Sequence, residues 1–298
     1  MKYRSPDAFK AALLERLKKE SASRQIPFLR VQMRFLFERL LVRAQAVFPH
    51  LVIKGGAAME FRLSLARTTR DLDFGLYGVA AEQVLPRLQE SGQTDFEDYL
   101  SFEIQDDPKH PLLEAEGMQY QGRRLRVRAR LAGKPLFGYF GVDVAVGEPA
   151  APSEQMTVPS LLAAAGLAPL ELTVYALESH IAEKFHAYTL PRSHPNSRVK
   201  DLPDLGLLAM HRPILGDKLR QALEITFGHR QTHELLRSVP TAPVGWAAPY
   251  ASMAKENALP WGDLASVQDA VRNFLNPILE LSDSRVWKPR TWSWEEGL

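Results

Sequence analysis

The chain has 298 residues, 45% of them hydrophobic and 24% charged, with 37 Lys and Arg against 35 Asp and Glu for a formal charge of +2. That profile fits a globular protein of one large or two modest domains, and so even a balance neither demands nor excludes nucleic acid. Cysteine is absent, which excludes disulfides, thiolate zinc sites, iron–sulfur clusters and cysteine nucleophiles, and leaves oxygen or imidazole as ligands for any metal.

The N-terminal segment runs directly into a charged helical pattern, with no signal-peptide core. The most apolar stretches, around 35–47 and 161–172, are broken by Arg, Pro or Gly and fall short of the roughly 20 residues that span a bilayer. A cytoplasmic protein without membrane contact is expected. Leu13, Leu14 and Leu17 set the apolar face of a helix within 7–20, and Leu29, Met33, Leu36, Phe37, Leu40 and Leu41 that of a second over 27–48. Leu51-Val52-Ile53 reads as a short strand closed by a Gly55-Gly56 turn, 57–65 as a short helix, and 72–74 as a strand broken by Gly75 and Gly78. A helix near 80–90 precedes three strands at 99–105, 123–131 and 136–146. The alternation from Arg124 to Leu131 is the clearest strand pattern in the chain. Pro, Ala and Ser dominate 147–169, which reads as a crossover or linker. Helical patterns follow at 177–190, 201–210, 213–227, 233–238 and 264–281, before an irregular aromatic tail over 286–294. Strands first and helices afterwards predict an α+β fold: a mixed sheet with flanking helices over 1–172, then a mainly helical domain over 173–298.

Chemistry concentrates between Lys54 and Phe74. Gly55 and Gly56 let the backbone approach a phosphate, and the N-terminus of the helix that follows offers amide donors. Asp71 and Asp73 are two apart on a strand, so both carboxylates face one way, about 7 Å apart at Cα. Such a pair can bracket two divalent ions in an in-line phosphoryl or nucleotidyl displacement. Arg67, Thr69 and Arg70 lie just ahead, within reach of phosphate oxygens. A Gly-Gly or an Asp-x-Asp alone is commonplace. Their assembly, strand to Gly-Gly to short helix to Arg-x-Thr-x-Asp-x-Asp, is the specific feature.

This assembly resembles the first motif of the AbiEii-type nucleotidyltransferases, toxins of type IV toxin–antitoxin systems that include the mycobacterial MenT toxins, within the DNA polymerase β-like nucleotidyltransferase superfamily. Further matches occur in the family's order. Gly141 to Gly147 is similar to the strand carrying a third acidic residue, here Asp143; Ala182-Glu183-Lys184-Phe185, after Glu178, resembles the Ala-Glu-Lys helix; and Arg198 to Leu205 resembles the Arg-x-x-Asp-Leu-x-Asp-Leu segment. The likeness covers about 53–205. It implies a nucleotidyltransferase-like core, with the helical domain contributing Lys184 and an aspartate to the cleft. It also implies a nucleoside triphosphate substrate with Mg²⁺ or Mn²⁺, and transfer of the nucleoside monophosphate to RNA, with the tRNA 3′ end as acceptor and translation blocked. An antitoxin need not touch such a toxin directly. One departure stands out: the wider superfamily has Gly-Ser where this chain has Gly55-Gly56, so backbone amides, Thr68 or Thr69 must serve the triphosphate.

The same residues carry plainer readings. Lys184 shares a helix face with Ile181 and Tyr188, and is either a lysine at the core's edge or a cation aimed at the triphosphate. Asp201 is either a first-turn acid favoured by the helix dipole or a base or orienting partner for Lys184, with Asp204 the alternative. Asp143 stands among valines, so it faces solvent or meets cations, as a third metal ligand would. Arg124, Arg126, Arg128 and Arg130 lie to one side of their strand, as a solvated face or as phosphate contacts to RNA. Two other classes compete: a different Asp-x-Asp phosphoryl or glycosyl transferase, and a non-catalytic nucleotide- or RNA-binding module. Gly75 stands where a haloacid-dehalogenase-like phosphatase has Thr or Val, and no βαβ nucleotide fold precedes the Asp-x-Asp.

Overall fold

Ser5 accepts a hydrogen bond from the Ala8 amide, Pro6 sits where a helix needs no amide donor, and Asp7 meets the positive end of the dipole, so helix α1 spans Pro6–Arg24. In this computed structural model the described residues are 3, 5–63, 69–112, 121–147, 151–161, 163, 166–191, 198–280 and 284–297. The chain divides into two compact units, Met1–Phe61 with Thr68–Tyr175, and Arg62–Arg67 with Ala176–Leu298.

The first unit continues with α2 (Phe28–Val47), β1 (Val52–Lys54), α3 (Gly55–Arg62), β2 (Asp71–Leu76), α4 (Ala81–Gln93), β3 (Leu100–Asp106), β4 (Gln121–Leu131), β5 (Lys134–Val146), β6 (Ser153–Val158) and β7 (Leu170–Tyr175). The strands form one seven-stranded sheet in the order β3-β4-β5-β2-β1-β7-β6, parallel at β2–β5 and β1–β7 and antiparallel elsewhere. Leu72, Phe74, Phe102, Leu125, Val127, Val142 and Val144 are buried in the core with Phe9, Leu36, Phe37 and Leu40 of the first two helices. An ionic clamp fastens α2. Asp98 accepts from Arg39 at 2.8 Å and from Arg43 at 2.8 and 3.1 Å, and the Arg43 guanidinium also lies over the Phe96 and Phe102 rings. Burial pushes the Asp98 carboxyl up, but the bonds and charges of Arg43 and Arg39 together outweigh it and hold it below its ordinary value. At the edge of the sheet, Gln89 and Gln93 of α4 donate to the Ile104 and Phe102 carbonyls, so helix side chains cover part of β3.

Several elements differ from the sequence reading. Gly55 and Gly56 open α3 and do not form a separate turn, and β2 runs on through Gly75. The stretch read as a linker carries β6, whose edge pairing with β7 needs no apolar run of its own.

In the second unit, α5 (Leu177–Thr189), α6 (Asp201–Ala209), β8 (Ile214–Leu215), α7 (Gly216–Arg230), α8 (Ala247–Asn257) and α9 (Leu264–Glu280) precede β9 (Val286–Lys288) and β10 (Ser293–Glu295). The helix α8 was not anticipated; Pro249 falls in its first turn, where proline is tolerated. The helix expected over 233–238 is irregular chain, its neighbour Val239 donating its amide to the Asn276 side chain. The tail is not irregular either. It pairs as a small sheet in the order β10-β9-β8 because its tryptophans need burial with their indole donors satisfied. Trp287, Trp292 and Trp294 donate to the carbonyls of Ala209, Ala270 and Phe274.

Candidate active site

In the first unit the acidic pair lies on the sheet face opposite the core. Leu72 and Phe74 are fully buried, so period-two alternation sends Asp71 and Asp73 the other way. Each carboxylate lies over a glycine. A Cβ on Gly55 would come within 2.4 Å of Asp73 Oδ2, and one on Gly141 within 2.4 Å of Asp71 Oδ1. Gly55 also adopts φ +60, a left-handed conformation that side chains resist. At Gly56 an added Cβ would lie 2.7 Å from Thr69 Oγ1. The Thr69 hydroxyl therefore occupies the space of the side chain that position 56 lacks, beside the first turn of α3.

Strand register builds a row of charge across four strands. Lys54 pairs with Asp73, Asp73 with Asp143, and Asp143 with Arg124. Arg124 grips Asp143 with both arms, Nε to Oδ1 at 2.8 Å and Nη2 to Oδ2 at 2.7 Å. The hydrogen bonds to Asp143 raise the Arg124 guanidinium above its ordinary value, reinforced by the charges of Asp143, Asp71 and Asp107 and opposed by burial. Asp143 thus meets a cation, and that cation belongs to the protein. Among the described residues no three His, Cys, Asp or Glu side chains gather as a metal-binding group. Asp71 and Asp73 still suit a hard divalent ion, because Mg²⁺ is usually held by one or two carboxylates, with waters and substrate phosphates completing its shell.

The remaining predicted residues separate. Arg67 and Thr68 lie outside the described residues, and Arg70 is exposed at the start of β2. The arginine ribbon keeps one face, but its members differ in occupation. Arg124 is spent on Asp143, while Arg130 pairs with Glu103 at 2.6 Å and donates to the Gly133 carbonyl. Arg126 and Arg128 instead lie over the Tyr139 ring, at 3.8 and 4.1 Å from its centroid. Lys54 and Tyr139 had no role in the sequence reading. Lys54 directly precedes the glycines, yet only strand register places it beside Asp73.

In the second unit, Lys184 on α5 reaches Asp204 Oδ2 at 2.8 Å and Asp201 Oδ1 at 3.2 Å. Both aspartates are fully buried in the first turn of α6, three residues apart and hence on one face. Arg198 adds a weaker contact, 3.6 Å from Asp201 Oδ2. Both aspartates contact Lys184, so the alternatives weighed for its partner merge into one buried triad. Glu183, one position round the helix, pairs with Arg230 at 2.8 Å. One turn before Lys184 lies His180, wholly buried; burial, and then the charges of Lys184 and Arg62, hold its imidazole well below the usual value.

A family model described as Nucleotidyl transferase AbiEii toxin, Type IV TA system, matches residues 39–295. The chain belongs to the AbiEii nucleotidyltransferase toxin family. The match extends well beyond the segment whose motifs resemble the family and takes in nearly all of the second unit. Among solved structures, MenT4, a nucleotidyltransferase toxin of Mycobacterium tuberculosis H37Rv, superposes with a TM-score of 0.57 at 18% identity, over 93% of this chain and 91% of that one. That likeness is one of fold. JHP933 of Helicobacter pylori gives a TM-score of 0.43 at 15% identity, over 86% of this chain and 92% of that one. No curated protein sequence matches. Among the described residues no helix is long and apolar enough to cross a membrane.

Proposed function

We propose that this AbiEii-family chain binds a nucleoside triphosphate against Gly55, Gly56 and Asp71/Asp73 and transfers its nucleoside monophosphate to an RNA hydroxyl. The observation that carries the reading is the seating of both carboxylates on glycines, with Asp73 against the first residue of α3. Close backbone approach, amide donors and oxygen ligands then share one small area. An acceptor hydroxyl oxygen forms a bond to the α-phosphorus as the bond to the β-phosphate bridging oxygen breaks. Pyrophosphate leaves and the proton of the acceptor hydroxyl passes to solvent. A Mg²⁺ or Mn²⁺ ion held by Asp71 and Asp73 would supply charge neutralisation at the phosphates.

The chain's own groups do the rest by positioning and electrostatics. The amides at the start of α3 face phosphate oxygens, with Arg70 as a further contact, while the Thr69 hydroxyl donates to the Asp71 carbonyl at 3.3 Å and fills the space beside Gly56; the sequence motif adds Arg67. Arg124 holds Asp143 in place, which leaves Asp71 and Asp73 as the principal ligands and Asp143 as a third only if that ion pair opens. Family resemblance gives Lys184 a catalytic role, with Asp201 and Asp204 orienting its ammonium. The same resemblance makes the acceptor the 3′ end of a tRNA, the outcome arrested translation, and an antitoxin one that acts without direct contact.

The test is transfer of labelled nucleotide to total tRNA, with each of the four triphosphates in turn and with Mg²⁺ or Mn²⁺. Incorporation by the wild type and none by Asp71→Ala or Asp73→Ala is expected. Absence of incorporation under every condition, with triphosphate binding indifferent to both substitutions, would leave a non-catalytic binding module.

A further inference from the structure

The carboxylate face continues along β5 to a second feature. Tyr139 lies four residues before Asp143 on the same face, about 13 Å along the strand. Beside it opens a cavity of about 470 Å³ lined by Arg128, Arg130, Glu103, Gln105, Gln89 and Tyr139, among others. The register explains why the tyrosine stands there. Arg128 pairs with Tyr139, but the next residue, Ala129, pairs with Leu136, so Phe137 and Gly138 are extra in β5. Phe137 takes φ +61, unusual for a bulky residue. Bulges of this kind re-aim side chains at the rims of sheets and near sites. Leu136 returns to the core while Tyr139 remains 38% exposed.

The chemistry of this corner is specific. Two guanidiniums lie over one phenol ring, and at these distances they must cover its two faces, so the surface left for a partner is the outer side of a guanidinium backed by the ring. Arg128 Nε is buried without a hydrogen-bond partner. Because Arg130 is paired with Glu103 and Arg124 with Asp143, the positive charge added at this end comes from Arg126 and Arg128. A guanidinium backed by the phenol, next to a polar cavity, suits an unpaired base and its phosphate. A span of about 13 Å corresponds to about four stacked nucleotides at roughly 3.4 Å each.

We infer that Tyr139, Arg126 and Arg128, with the adjoining cavity, form a subsite for single-stranded RNA. It would receive an unpaired base and phosphate a few nucleotides before the acceptor's 3′ end. The inference rests on the RNA-acceptor reading above, and it adds where the strand docks and which side chains read its shape. Recognition there is by stacking and charge, so it tolerates different bases.

The experiment measures binding of a fluorescently labelled single-stranded RNA of twelve nucleotides to the full chain without triphosphate or metal, with inorganic polyphosphate as a base-free competitor. Tyr139→Ala, which removes the ring that backs both guanidiniums, should weaken RNA binding about tenfold, the scale of losing one stacked base. Tyr139→Phe should bind as the wild type does. Arg128→Gln should lower the slope of log affinity against log salt by about one. Melting temperatures within a degree or two of wild type would show that the variants fold. RNA binding unchanged in Tyr139→Ala, or lost equally in Tyr139→Phe, overturns the subsite, as does complete displacement by polyphosphate at equal charge concentration. Transfer assays separate this outcome from failure of the parent reading. Transfer to tRNA with an unaltered KM for tRNA in Tyr139→Ala would sink the subsite alone, whereas Tyr139-dependent RNA binding without transfer would sink the enzymatic reading alone.

Discussion

Each unit of the protein gathers acidic side chains, but under opposite conditions. On the sheet face, Asp71 is exposed and Asp73 half-buried, each lying over a glycine, with charge partners arranged along a strand rung. Between α5 and α6, Asp201 and Asp204 are fully buried and share one lysine. A solvated carboxylate can exchange its partners for a ligand at little cost. A buried one cannot, because an ion that loses its counter-charge in the interior is penalised by several kcal/mol. The first arrangement suits turnover, and the second suits holding an ammonium in a fixed place. Substitutions should therefore separate activity from stability in the first unit and couple them in the second.

The sharpest test of that contrast is Asp73→Asn set against Lys184→Met. Asp73→Asn should lower nucleotide transfer by about a thousandfold, the scale of losing a preorganised charge at the reacting group, while its melting temperature stays within about two degrees of wild type. Lys184→Met leaves two buried carboxylates facing each other and should cost about 3–5 kcal/mol of stability, read by thermal denaturation. If adding Asp201→Asn and Asp204→Asn did not restore most of that loss, the triad would not be what holds this part of the second unit together.

Glycine substitutions probe the seating of the carboxylates. Gly55→Ala meets Asp73 Oδ2 and a left-handed φ at once, so a loss of about 1–3 kcal/mol is expected together with loss of transfer. Gly56→Ser should collide with the Thr69 hydroxyl, and Thr69→Ala in the same chain should relieve the collision. Calorimetry on the two singles and the double gives the coupling, and additivity would show that Thr69 does not fill that space.

The smallest effect concerns pH. His180 is held neutral in the folded chain, with its pKa well below the usual histidine value. The unfolded chain therefore binds the extra proton as pH falls below about 6.5, so this group's contribution is fully present above that pH and is lost on acidification, at up to about 1.4 kcal/mol per pH unit. His180→Phe should flatten the dependence of melting temperature on pH between about 6.5 and 5. An unchanged slope would mean that other groups set it.

Sequence alone carried the reading unevenly. The Gly-Gly and Asp-x-Asp pieces are local: a helix start and an i, i+2 spacing orient them without help from the rest of the chain. The Arg124–Arg130 alternation likewise assigned one face to four arginines, and the structure keeps them there. It could not say which were available, because Glu103 and Asp143 reach those guanidiniums through pairings that span long stretches of chain. The tail follows the same rule. Trp287, Trp292 and Trp294 look irregular in isolation, and only the carbonyls of Ala209, Ala270 and Phe274 show what their donors need.

What the sequence determined by itself is the chemistry at hand: glycines beside a helix start, two carboxylates with one orientation, and a lysine and two aspartates at helical spacing. Those follow from short-range geometry, whose periods are fixed by the backbone. The tertiary structure alone decided the partners: Asp143 with Arg124, Lys184 with both Asp201 and Asp204, Thr69 in the space beside Gly56, and Tyr139 turned out by a bulge. Strand register and burial settle these contacts, and both are properties of the whole packed chain that no short window of residues contains.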